Sequence, residues 1–153
     1  MTKLFIMGIF SSLLSLINCR NTQTAEKIKI NELESQLLNL SQGKTEYDFI
    51  GITSNGIDCI YFIKDGDKFQ IDFEAMSSNQ IAYIEKLRKY AERKNIKTQM
   101  KTYGNKTVDN SNEKAPVIHL LTNSNLSETA EIGSDIQNEV FGNSIETIYD
   151  VVP

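Results

Sequence analysis

The chain has 153 residues, 40% of them apolar and 24% charged, a balance that fits one globular domain and excludes wholesale disorder. Its formal charge is −4, from 20 acidic and 16 basic residues, which excludes the basic footprint that a nucleic-acid backbone demands. A single histidine excludes catalytic schemes that need two.

Met1-Thr2-Lys3 is a short positive segment, and residues 4–17 (LFIMGIFSSLLSLI) form an uncharged apolar run of 14 residues. A helix needs about 20 apolar residues to span a bilayer, whereas the core of an export signal takes about 7–15. Arg20 and the polar residues 21–24 end the apolar phase. The expectation is export, with residues 1–18 as a signal peptide. Leu16-Ile17-Asn18-Cys19 resembles the lipobox of bacterial lipoproteins: Leu16 and Cys19 match, while Asn18 stands where a small Gly, Ala or Ser is usual. The resemblance covers the first twenty residues. It implies lipid attachment at Cys19 and a membrane-anchored protein of the bacterial cell envelope, with the lipid bilayer as partner. More than one acyl chain is what stable anchoring takes. Cleavage without lipid, giving a periplasmic or secreted protein, and an uncleaved anchor are the alternatives.

Residues 19–30 read as a tether, and residues 31–153 as a single α+β domain. A helix begins at Asn31, with Glu34 placed as in a capping box and Leu33, Leu37 and Leu40 on one stripe; Gly43 ends it. Three strands follow. Residues 47–53 pair with 57–64 across Ser54-Asn55-Gly56, where Asn-Gly predicts a type I′ hairpin turn. Asp65-Gly66 makes the next turn into residues 67–74. Residues 57–64 are apolar on both faces and belong in the middle of the sheet, whereas Phe69, Ile71 and Phe73 alternate with polar neighbours. A helix capped by Ser77 or Ser78 with Gln80 carries Ile81, Ile84, Leu87 and Ala91 inward and stops at Asn95. Residues 97–103 form a strand, 104–114 a polar loop, and 115–122 a strand with Pro116 at its beginning. Asn125 with Glu128 opens a helix bearing Ile132, Ile136 and Val140, which Gly142-Asn143 closes; residues 146–152 are a last strand. The order α-βββ-α-ββ-α-β predicts a mainly antiparallel sheet of about six strands with two to three helices packed on it. In element order it is similar to the type III secretion chaperone-like fold, from which the final strand departs.

No catalytic motif is visible, and no metal or cofactor is expected. His119 alternates with Ile118 and Leu120, so it faces away from the core. Asp65, Asp67, Asp72 and Glu74 are the densest acidic group, read as turn residues and the wet face of a strand. Lys86, Arg88, Lys89, Arg93 and Lys94 read as a solvated helix face, with anionic headgroups as an alternative partner. Cys59 reads as a small buried hydrophobe. Six tyrosines (47, 61, 83, 90, 103 and 149) are read mainly as core, with a contact surface as the alternative. These features favour a non-catalytic binding or interaction module, with another protein as a candidate partner. The alternatives are a chaperone-like or inhibitor protein that shields one partner, and a small enzyme whose residues converge only in space, around His119 or Asp58.

Overall fold

The computed structural model describes residues 25–108 and 113–153. The leader, Cys19 and residues 109–112 of the predicted polar loop lie outside the described residues. In chain order the elements are β1 (Lys27–Lys29), a 3-10 turn (Ile30–Glu32), α1 (Leu33–Ser41), β2 (Phe49–Thr53), β3 (Ile60–Asp65), β4 (Lys68–Glu74), α2 (Ser78–Arg93), β5 (Lys97–Thr107), β6 (Lys114–Ser124), α3 (Leu126–Asp135), a π-helical turn (Ile136–Val140) and β7 (Ile148–Val152). The strands form one sheet in the order β1-β7-β2-β3-β4-β6-β5, antiparallel throughout. The fold is therefore α+β, with seven strands rather than six and β3 in the middle of the order.

Side chains alternate across a strand, and here the alternation divides core from site. Ile50, Ile52, Ile60, Phe62, Phe69, Ile71, Phe73, Ile118 and Leu120 point to one face. There they form a single core with Leu33, Leu37 and Leu40 of α1, Leu87, Tyr90 and Ala91 of α2, and Ile136. Gly133 lets α3 close onto this layer: a Cβ there would lie 2.8 Å from Leu33 Cδ2 and 2.8 Å from Phe62 Cζ. No helix among the described residues is long and apolar enough to cross a membrane.

Several local expectations change. Asn31 lies inside the 3-10 turn rather than capping α1, and Glu32, not Glu34, accepts from a backbone N–H, that of Lys29 (2.8 Å). The predicted loop 104–114 is shorter, because β5 runs on to Thr107 and β6 starts at Lys114. Residues 27–29 lie within the stretch read as a tether, yet they form β1, an edge strand paired with β7 and held by exposed ion pairs Lys27–Asp150 (2.6 Å) and Lys29–Glu146 (2.7 Å). The Asn-Gly turn is not a two-residue hairpin. β2 and β3 pair from Ile52↔Ile60, and the longer loop between them wraps the carboxylate of Asp58, which is 1% exposed. That carboxylate accepts from Thr53 Oγ1 (2.7 Å), the Ser54 N–H (2.8 Å), Ser54 Oγ, the Asn55 N–H (3.3 Å) and Asn143 Nδ2 (2.8 Å). A buried charge needs such donors, and the backbone bends to supply them; Gly56 alone in the turn takes a left-handed φ of 82°.

In α2 the inward stripe is rotated from the predicted one. Gln80 turns inward, accepting from the Met76 and Ser77 N–H groups (2.9 and 3.0 Å) and donating to the Ile57 carbonyl (3.1 Å). Ile81 is left 41% exposed, and Tyr90 enters the core. The caps at Ser77 and at Asn125 form as predicted, the latter with the Glu128 N–H donating to Asn125 Oδ1 at 2.9 Å. Asn95 stops α2 at φ 56°.

Candidate binding site on the open face of the sheet

The opposite face of the sheet carries the chemistry. One lateral row crosses six strands: Gln99 (β5), His119 (β6), Asp72 (β4), Tyr61 (β3), Gly51 (β2) and Val152 (β7) are successive cross-strand neighbours. Glu74 is two residues along β4 from Asp72 and shares its face; Phe49 and Ile63 form the neighbouring pair on the other side of the row. Glycine at 51 is a requirement of this row. A Cβ there would come within 2.6 Å of Val152 Cγ2 and 2.9 Å of the Tyr61 ring, so the ring lies against β2 only because position 51 has no side chain.

Aromatic contacts continue outward from Tyr61. Phe49 meets it edge-on with centroids 6.1 Å apart, and Tyr47 stacks on Phe49 at 5.3 Å. Tyr103 joins them from β5, four places from β2 and three from β3 in the strand order. The β5–β6 pairing is irregular between Thr102 and Thr107, and this end of the hairpin brings Tyr103 to a shared cleft. Ala115, Val117 and Val108 are buried here, apart from the main core. The cleft has a volume of about 350 Å³ and is lined by Phe49, Tyr61, Ile63, Asp72, Glu74, Tyr103 and Pro153.

Its polar side is acidic. His119 Nδ1 is hydrogen-bonded to Asp72 Oδ1, an ion pair only when the imidazole is protonated, and Glu74 is the second carboxyl group lining the cleft. Burial, and secondly Asp72 beside it, hold the Glu74 carboxyl above its usual range. Burial also raises the Tyr61 hydroxyl and pushes the Cys59 thiol up to about 11. Cys59 is thus a poor nucleophile at neutral pH, since the thiolate is the reactive form.

The structure separates residues that composition had grouped. Asp72 and Glu74 reach the cleft, but Asp65 and Asp67 stay at the β3–β4 turn, where Asp65 accepts from Gln70 Nε2 at 3.1 Å. Of the tyrosines, 61 and 103 line the cleft and 47 flanks it; 90 and 149 are core, and 83 packs on Phe141 at 4.8 Å. The basic residues of α2 are largely engaged. Arg88 bonds Glu85 (2.5 Å) and Glu92 (2.9 Å), Arg93 meets Glu139 (3.4 Å), Lys94 meets Glu139 (3.7 Å) and Asp135 (3.8 Å), and Lys86 lies 4.7 Å from the Tyr83 ring centroid. Asp58 spends its carboxylate on structure. Phe49 was missed by sequence reasoning, although its alternation with buried Ile50 and Ile52 marks it as facing away from the core. Among the described residues no group of three His, Cys, Asp or Glu side chains is placed to hold a metal ion. Compared with known protein families, characterised proteins and solved structures, the chain matches none.

Proposed function

We propose that the chain is a non-catalytic binding module, anchored to a bacterial envelope membrane by lipid on Cys19, that takes its ligand on the open face of the sheet. The observation that carries the binding half is the division of faces: the helices share a core with one side of the sheet, and the other side holds a cleft with aromatic walls and two carboxylates. A pocket of apolar walls with a few convergent polar groups is the usual form of a ligand site. The anchoring half rests on the apolar run ending at Cys19.

A photo-crosslinking residue at position 47, on the open face and 50% exposed, is expected to give a discrete adduct in the producing cell. The same residue at position 131, exposed on α3, is expected to give none. Equal adducts at both positions would overturn the binding reading. Cys19→Ala is expected to abolish fatty-acid labelling and release the chain from the membrane fraction; an unchanged fraction would overturn the anchor.

A further inference from the structure

We infer that the cleft bounded by Phe49, Tyr61, Tyr103, Asp72 and Glu74 binds a small organic cation of the alkylammonium type. This rests on the reading of the chain as a binding module and assigns the chemistry of its ligand. The volume of about 350 Å³ lies at the small end of ligand cavities, roughly 300–1,000 Å³. Three aromatic rings from three strands line it. Ring faces carry negative potential and attract cations, more strongly when the pair is withdrawn from water.

The carboxylates reinforce the same sign. Asp72 is held in place by His119, so its second oxygen is presented without a search over rotamers. Glu74 lies beside it on the same face, and two adjacent partly buried carboxylates repel until a positive group sits between them. An anion would add to that repulsion. A neutral ligand would bury the carboxylates without a charge partner, which is costly. Among the described residues, His119 can partner Asp72 alone, and only when protonated; Glu74 has no ion-pair partner there, and Lys101, on the row of Glu74 beyond Val117, is exposed.

The test is an NMR and calorimetric titration of the full-length chain with pentylammonium, with Nα-acetyl-lysine N-methylamide, and with 1-pentanol, the neutral isostere of pentylammonium. At least one cation is expected to perturb Tyr61, Asp72, Glu74 and Tyr103 and to bind about tenfold or more tightly than 1-pentanol. Which cation binds more tightly identifies a free amine or a lysine side chain as the source. Glu74→Gln and, independently, Tyr103→Leu are expected to weaken cation binding about three- to tenfold while leaving 1-pentanol less affected, with unchanged near-UV circular dichroism as the folding control. Equal affinity for 1-pentanol and both cations, or cation binding indifferent to Glu74→Gln, overturns the inference. If 1-pentanol occupies the cleft and neither cation does, the cation assignment falls while the binding reading stands. If no probe perturbs the open face while the crosslinker at position 47 still forms its adduct, the cation assignment again falls alone; loss of both signals removes the binding reading too.

Discussion

Removing the Asp58 carboxylate tests the reasoning behind the β2–β3 loop. Five donors converge on it from Thr53, Ser54, Asn55 and Asn143, and Asn143 belongs to the distant segment that leads into β7. Hydrogen bonds to a charged acceptor contribute about 1.5–3 kcal/mol each in isolation, but they are not additive. Breaking a buried charge network typically costs about 3–5 kcal/mol. Thr53 and Ser54 can recover some water contact in the variant, so Asp58→Ala is expected to cost about 3 kcal/mol, or roughly 12 °C in Tm for a domain of this size. Urea denaturation followed by tryptophan-free tyrosine fluorescence, with circular dichroism in parallel, measures it.

The acid dependence has a definite sign. Although burial opposes ionisation, the hydrogen bonds from Ser54, Thr53 and Asn143 win and hold the Asp58 carboxyl below its ordinary value of 3.8. Its contribution is therefore full above that value and disappears as pH falls through the lower folded value. The stability gap between the native chain and Asp58→Asn should be constant from pH 7 to about 5 and shrink in more acid solution. A loss below about 1 kcal/mol in Asp58→Ala, or a gap that does not change in acid, would refute the account.

Gly133→Ala should destabilise by a net 1–2 kcal/mol or so, because the overpacking against Leu33 and Phe62 outweighs a helix-propensity gain of about 1 kcal/mol; a more stable variant would show that α3 can move away from the sheet. Asn125→Ala should cost about 1 kcal/mol through loss of the α3 cap, measured as a lower urea midpoint at unchanged slope. In a Cys19→Ser background, half-buried Cys59, its thiol pushed up to about 11, should react with a thiol reagent at neutral pH about a hundredfold more slowly than an ordinary cysteine; labelling at the ordinary rate would contradict the desolvation of the thiol.

The features legible in the sequence are those decided within a few residues. The caps at Ser77 and Asn125, the stop at Asn95 and the Asp65-Gly66 turn each depend on neighbours, and each is where the pattern puts it. The Asn55-Gly56 pair carries an equally strong local signal, but Asp58 and Asn143 override it from 85 residues apart. β1 offers one apolar residue, Ile28, between two lysines; only its partner in β7 makes it a strand. The site follows the same rule. Alternation tells that Phe49, Tyr61, Asp72 and Glu74 face away from the core, but not that the β5–β6 hairpin brings Tyr103 to join them.

The place of β7 also governs the order of assembly. It lies between β1 and β2, joining residues near 28 to residues near 150. A chain emerging from its amino-terminal side can build the β2–β3–β4 meander from local pairings, but β1 has nothing to pair with until residues 148–152 arrive. Closing so long a loop is slow. The three-residue strand β1, with one core residue, Ile28, and two exposed lysine ion pairs, is thus the last to lock and the first to fray, and hydrogen exchange at Ile28 and Lys29 should report that opening before the central strands exchange.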